Sequence, residues 1–132
     1  MSREDLKYSE LTEIIINAAM KVHRSLGPGF PETIYQRALE VELKRRDINY
    51  KAEQELPVFY EGVLVGKRRL DLLVESIILV ELKALSEFEK KNFNQVLNYL
   101  EAFNVEVGLL LNFGVESLQM KRFINNKFKE NK

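Results

Sequence analysis

Two apolar runs with a short polar break between them dominate the middle of the chain. Residues 70–74 and 77–83 are rich in Val, Ile and Leu, and Glu75-Ser76 separates the two runs. Such runs around a short polar break are typical of an antiparallel hairpin, because strand residues are apolar and turn residues are polar. The pattern therefore predicts two paired strands.

Three charged side chains interrupt this hairpin, namely Asp71, Glu81 and Lys83. Strand side chains alternate between faces, so Glu81 and Lys83 share a face while Leu82 points the other way. Asp71 lies opposite Val80 or Glu81, and pairing with Glu81 would place the two Cβ atoms about 4.5 to 5.5 Å apart. Carboxylates this close repel unless a cation lies between them, and Mg²⁺ typically takes one or two carboxylates with phosphate oxygens. The alternative is a buried Glu-Lys pair in a sheet.

A second group of residues surrounds the predicted start of a helix. Residues 27–29 read Gly-Pro-Gly and end one helix, and Pro31 opens the next, predicted over residues 31–46. Glu32 then lies near a helix N-terminus, where the dipole stabilises an anion by about 0.3 to 1 kcal/mol, which alone would explain its presence. Tyr35 shares a helix face with Glu32 and either hydrogen-bonds a carboxylate or packs against the sheet.

A third group lies in a later helix, where Gln95 and Tyr99 are one turn apart. Ser86 and Glu89 have the spacing of a capping box and predict where this helix begins. Asn92, Gln95 and Tyr99 form a polar line beside an apolar stripe of helical spacing. A solvated helix face would show the same pattern, so this pair indicates function only together with the other two groups.

Taken in this order, the three groups resemble the PD-(D/E)xK nuclease superfamily, and specifically its small GxxExxY proteins, over about residues 11–123. Gly29, Glu32 and Tyr35 supply the glycine, glutamate and tyrosine of that name. The resemblance implies an α/β fold whose core is a helix, a three-stranded antiparallel meander, a helix and another strand. An extra helix would precede this core. Leu70 stands where the superfamily motif has a proline.

The resemblance also implies a site. Three acids would hold Mg²⁺ or Mn²⁺, a lysine would stabilise the nucleophile, and a Q-x-x-x-Y pair like that of RecB-like exonucleases would position the site or a phosphate. The implied metal ligands are Glu32, Asp71 and Glu81, and the further implied catalytic residues are Lys83, Gln95 and Tyr99.

The implied function is a metal-dependent nuclease that hydrolyses phosphodiester bonds by metal-activated water. Two alternatives stay open. In the first, the chain is a non-catalytic nuclease-fold domain that binds nucleic acid or a protein partner through the same groove. In the second, it is a purely structural homodimer.

The rest of the chain fits one α/β domain over residues 1–132. A strand pair is predicted around the turn Glu61-Gly62, with a bulge at Gly66. The other predicted elements are a helix over 11–26, a buried strand over 105–111, an edge strand or last helix over 117–124, and a frayed tail over 125–132.

Composition excludes several classes of protein. The 132 residues with 45% hydrophobic content support a single core. The chain has no apolar run of about 18 residues and its first ten residues are charged, so we expect a cytoplasmic protein that does not span a membrane. The absence of cysteine excludes disulfides and thiolate chemistry. His23 is the only histidine and is expected to be a surface or packing residue.

Net charge argues against strong non-specific binding to duplex nucleic acid, because 20 basic residues offset 20 acidic ones. Local basic clusters at residues 67–69, 90–91, 121–122 and 127–129 still allow a focused groove, although each is also compatible with a solvated face. The resemblance implies nucleic acid, and DNA in particular, as the partner. A homodimer through the C-terminal edge strand is a further expectation.

Overall fold

The computed structural model describes residues 8–130. This described part begins with two helices, continues through five strands to a third helix, and ends in two strands. In chain order the elements are α1 (Ser9–Leu26), α2 (Glu32–Arg45), β1 (Tyr50–Ala52), β2 (Glu55–Tyr60), β3 (Val63–Arg69), β4 (Leu72–Val74), β5 (Ile78–Lys83), α3 (Lys90–Ala102), β6 (Val107–Asn112) and β7 (Gln119–Ile124).

Five strands form a mixed sheet in the order β1-β4-β5-β6-β7. Only β5 and β6 run parallel, as expected for strands joined through a helix, and the other neighbours are antiparallel. The antiparallel set β1-β4-β5 is the three-stranded meander that the resemblance implies, although its first strand, β1, was not predicted; α3 and then β6 follow it. The predicted fold class, including the extra N-terminal helix, is confirmed.

Strands β2 and β3 form a separate ribbon that continues β1 and β4 outward. The N–H of Glu53 donates to the carbonyl of Asp71, and the N–H of Leu70 donates to the carbonyl of Gln54, so the two ladders join at a bend. We call residues 55–69 the arm. The predicted turn is confirmed, since Glu61 and Gly62 both have positive φ, at 48° and 82°.

The arm also contains the predicted irregularity. Val58 pairs with Gly66 while Phe59 pairs with Leu64, so the pairing skips Val65, the neighbour of Gly66. Strand β3 ends at Arg69 rather than running on to Asp71, which lies in the bend.

The sheet has a helical layer on each face. Along β5 the side chains of Ile78, Val80 and Leu82 pack in the core formed with α1 and α2. Leu79 points the other way and packs in a second core with α3. Alternation therefore places Glu81 on the α3 side of the sheet.

The loop between α1 and α2 is fixed by Tyr35. Its hydroxyl donates to the carbonyl of Gly27 and accepts the N–H of Phe30. Its ring is fully buried and stacks on Phe113, with centroids 4.7 Å apart. Of the two roles expected for Tyr35, the structure shows packing, with hydrogen bonds to the backbone rather than to a carboxylate.

Helix α3 begins later than its capping pattern predicted, so the Ser86 prediction is wrong. The helix starts at Lys90, and the Asn92 side chain accepts the N–H of Glu89 at 2.8 Å. In the loop before the helix, the Asn112 side chain accepts the N–H of Leu85 and donates to its carbonyl, which holds this loop against β6.

The C-terminal segment is an edge strand followed by an anchored turn. Strand β7 pairs antiparallel with β6, which selects the strand over the helix among the two predicted forms. The buried Asn125 side chain donates to the carbonyls of Leu100 and Val105. Asn104 exchanges two hydrogen bonds with the backbone of Lys129. The expected fraying therefore does not apply to residues 125–129, and residues 131–132 lie outside the described part.

Helix length and polarity bear on membrane insertion. Within residues 8–130, no helix is both long and apolar enough to cross a bilayer.

Candidate active site

Asp71 and Glu81 lie opposite each other on neighbouring strands. The pairing of Leu72 with Val80 extends by one residue to Asp71 and Glu81, which decides between the two predicted registers. The backbone N–H of Asp71 donates to Glu81 Oε1 at 3.1 Å. In turn Asp71 Oδ2 accepts the N–H of Leu82 at 2.9 Å. Each carboxylate is therefore oriented by the backbone of the other strand.

The environment of Glu81 disfavours its charged form. The residue is 3% exposed, and burial together with the Asp71 carboxylate holds the pKa of Glu81 well above its usual value, while Lys83 opposes this effect. Among residues 8–130, no cation forms an ion pair within 4.0 Å of either carboxylate. Two carboxylates in this state suit a hard divalent cation that completes its shell with water and phosphate oxygens.

Lys83 ends β5 on the same side of the sheet as Glu81. It pairs in register with Asn112 of β6, and the carbonyl of Lys83 accepts the N–H of Phe113. These contacts fix the backbone at the point where the lysine side chain enters an open cleft.

The cleft has a volume of about 660 Å³ and lies between the arm and α3. Among the described residues that line it, three are cationic, four carry side-chain amides and none is acidic. The lining residues are Val58, Arg68, Lys83, Lys91, Asn92, Asn94, Gln95, Asn98, Tyr99 and Ala102.

Asp71 and Glu81 are not among the residues that line the cleft, whereas Lys83 and Tyr99 are. A ligand in the cleft can therefore contact the lysine and the tyrosine.

Gln95 and Tyr99 are in direct contact, as their spacing predicted. Gln95 Nε2 donates to the Tyr99 hydroxyl oxygen at 3.0 Å. Burial and then the charge of Glu81 raise the pKa of Tyr99, while Arg68 opposes the shift. The hydroxyl thus keeps its proton at neutral pH and is available as a donor to an anion in the cleft.

Glu32 is exposed in the first turn of α2, which packs on the opposite face of the sheet. Its helix start lies near the end of β6, because Tyr35 stacks on Phe113. Among residues 8–130, no three acidic or histidine side chains form a group able to hold a metal, so the structure does not bring Glu32 together with Asp71 and Glu81 in such a group. Its role as a ligand stays a prediction.

Arg68 and Lys91 line the cleft although neither was among the predicted site residues. The sequence does show the basic clusters to which they belong, at residues 67–69 and 90–91. Which member of each cluster faces the cleft depends on the register of the arm and the start of α3, and neither was fixed by the sequence pattern.

Comparison with known proteins supports the fold class that was predicted from the sequence. A family model of the PD-(D/E)XK nuclease superfamily matches residues 9–123. No curated protein sequence matches significantly. Among solved structures, the crystal structure of SSO0001 is similar with a TM-score of 0.58 and 21% identity, covering 93% of this chain and 62% of that one. This chain thus spans less than two thirds of that protein, and the likeness concerns the fold alone. Because the family model covers most of the chain, the protein belongs to the PD-(D/E)XK nuclease superfamily.

Proposed function

We propose that the protein is a divalent-metal-dependent nuclease of the small GxxExxY group, acting as a single domain in the cytoplasm. The observation that carries this proposal is the Asp71–Glu81 pair, in which one carboxylate is almost wholly buried and, among residues 8–130, neither forms an ion pair within 4.0 Å. Beside that pair lies a cleft whose described lining residues include three cations and no acidic side chain. An acid pair that can hold a cation, next to a cationic cleft, suits the binding of a phosphodiester substrate.

Asp71 and Glu81 would hold Mg²⁺ or Mn²⁺ through the carboxylate edges that their backbone hydrogen bonds leave available. When bound, the ion would supply Lewis-acid polarisation of a phosphate oxygen and of an attacking water. Glu32 is retained as a predicted third ligand, direct or through water, although its exposure on the other face of the sheet counts against direct coordination.

Lys83 would stabilise the negative charge that develops on the phosphate oxygens, a contribution that preorganised charges make without reorganisation. The hydroxyl of Tyr99 would donate a hydrogen bond to the same phosphate. Gln95 would keep that hydroxyl in place, since it already donates to it at 3.0 Å.

The expected substrate is nucleic acid, and DNA is the first candidate. The cations of the cleft, Arg68, Lys83 and Lys91, would neutralise backbone phosphates. A homodimer through the outer edge of β7 is also expected, because an unpaired edge can add a strand from a second copy. A pure monomer in sedimentation at micromolar concentration would contradict the dimer.

Cleavage of labelled DNA and RNA, tested with Mg²⁺ and with Mn²⁺, examines the proposal directly. Lys83→Ala should reduce cleavage by about 10² to 10³-fold with the fold retained. Lys90→Ala is the matched control, because Lys90 is an exposed lysine that does not line the cleft. Equal cleavage by wild type and Lys83→Ala would show that the assignment is wrong. Binding without cleavage in the wild type would favour the non-catalytic alternative.

A further inference from the structure

Among residues 8–130, the arm pairs with no third strand and faces α3 across the cleft. Strands β2 and β3 pair only with each other, and every residue of β3 is exposed. At the tip, Phe59 and Tyr60 are 60% and 66% exposed. A two-stranded ribbon is only marginally stable alone, and large exposed apolar side chains usually mark a binding surface.

One face of the arm forms a wall of the cleft. Val58 and Arg68 line the cleft from the arm, opposite the amide side chains of α3. Because strand side chains alternate, Tyr60 shares the face of Val58, whereas Phe59 points to the opposite face. Arg69 likewise points away from the face of Arg68. Tyr60 therefore lies on the cleft-facing side of the arm, nearer its tip, although it is not one of the lining residues.

The chemistry of this wall suits nucleotides whose bases are not paired. An arginine in the cleft can contact a backbone phosphate, and an exposed tyrosine beside it offers a ring on which a base can stack. Amides such as Asn94 and Asn98 on the opposite wall can hydrogen-bond to base edges. With 20 basic and 20 acidic residues, the chain has little general attraction for duplex phosphates, so stacking becomes a larger share of binding.

We propose that the arm binds an unpaired stretch of nucleic acid in the cleft, with Arg68 on a backbone phosphate and Tyr60 stacked on a neighbouring base. Single-stranded segments are then the preferred substrate. This inference rests on the proposed function, because both place nucleic acid in the same cleft. It adds that the arm selects single-stranded over double-stranded substrate.

Fluorescence anisotropy with a labelled oligonucleotide tests the proposal. The probe is about 20 nucleotides long, which exceeds the roughly 4 to 16 nucleotides that known single-strand-binding folds occupy, and its duplex is measured in parallel. Binding is measured in EDTA, so that cleavage does not interfere. The variants are Tyr60→Ala and Arg68→Ala, and their matched controls on the opposite face of the arm are Phe59→Ala and Arg69→Ala.

The wild type should bind the single strand more tightly than the duplex. Tyr60→Ala should weaken single-strand binding about tenfold, while Tyr60→Phe should restore it because the ring is kept. Arg68→Ala should lower the slope of log affinity against log salt by about 0.7, the loss of one phosphate contact. Phe59→Ala and Arg69→Ala should change affinity by less than about twofold.

Three results would overturn the inference. The first is preference for the duplex. The second is an equal effect of Tyr60→Ala and Phe59→Ala, or of Arg68→Ala and Arg69→Ala. The third is a dimer in sedimentation that Tyr60→Ala dissolves, since the tip would then bind a second copy of the chain.

The inference and the proposed function fail in different ways. If the wild type cleaves nucleic acid with Mg²⁺ but all four variants bind like it, the arm inference is wrong and the nuclease stands. If the binding pattern is as expected but nothing is cleaved, the nuclease is wrong and the arm inference stands.

Discussion

Asp71 and Glu81 hold each other in place across the bend where the arm joins the sheet. The N–H of Asp71 donates to the Glu81 carboxylate, and the Asp71 carboxylate accepts the N–H of Leu82, the residue after Glu81. These two bonds from backbone N–H groups to the carboxylates therefore orient both acids. The repulsion between the two carboxylates is the part of this arrangement that a cation would relieve.

Glu81→Gln should stabilise the metal-free protein at neutral pH. The folded pKa of Glu81 is raised, so above the usual glutamate pKa the unfolded chain loses a proton that the folded protein keeps. The free energy of unfolding contributed by this group is then fully present at acid pH and is lost as pH rises through the folded pKa. Urea denaturation in EDTA over a pH series should show this decline in the wild type and a smaller one in Glu81→Gln. Glu87→Gln, an exposed control, should follow the wild type. Parallel curves for wild type and Glu81→Gln would contradict the assignment.

Tyr99→Phe should lower cleavage with little change in fold, because it removes the hydroxyl that faces the cleft and keeps the ring in its core. We expect a loss of about tenfold or more, the effect of one donor to a developing charge. Tyr50→Phe is the control, since the Tyr50 hydroxyl contacts Glu40 of α2. A similar loss in both variants would indicate a general effect of hydroxyl removal.

Gly114→Ala should destabilise the protein and impair the site together. An added Cβ would lie 2.5 Å from the backbone N and O of Leu85, in the loop that follows Lys83. Overpacking costs about 1 to 3 kcal/mol, and contact with backbone atoms favours the upper end. Gly66→Ala is the control, because its Cβ meets nothing within 4 Å. Denaturation midpoints that shift equally in the two variants would show that the packing around Leu85 adapts.

Tyr35→Phe should weaken the fold rather than the chemistry. It removes the two hydrogen bonds that join Tyr35 to Gly27 and Phe30, a loss of about 0.5 to 1.5 kcal/mol for each bond, and keeps the stacking on Phe113. Denaturation should show this loss, and cleavage by the remaining folded protein should match the wild type. Loss of cleavage at full stability would place Tyr35 in the active site instead.

Much of the fold could be predicted from periodicity and turn chemistry. The run over residues 105–111 predicted a buried strand, and the structure has one over Val107–Asn112, fully buried between two neighbours. The turn at Glu61-Gly62 was predicted because glycine accepts positive φ readily. Both features depend mainly on residues close together in the chain. A local sequence pattern is therefore enough to predict them.

The start of α3 and the presence of β1 could not be predicted in the same way. Ser86 and Glu89 have capping-box spacing, but the capping box of α3 is formed by Glu89 and Asn92, three residues later in the chain. The short strand β1 was missed because three residues carry too little pattern, and its pairing with β4 depends on the sheet as a whole.

The candidate site likewise combines contacts that local spacing predicted with one that it did not. Strand spacing allowed Asp71 to lie opposite Val80 or Glu81, and helix spacing placed Gln95 one turn from Tyr99. In the structure Asp71 contacts Glu81 and Gln95 contacts Tyr99. The place of Arg68 in the cleft depends on the bend of the arm toward α3, which no local pattern determines.

Calorimetric titration of Mn²⁺ is the most direct test of the central claim that Asp71 and Glu81 form a metal site. The titration compares the wild type, the double variant Asp71→Ala with Glu81→Ala, and the control Glu87→Gln, with an oligonucleotide present to supply phosphate oxygens. We predict saturable binding to the wild type and to Glu87→Gln, and its loss in the double variant. Equal binding to all three proteins, or no saturable binding to the wild type, would contradict the claim.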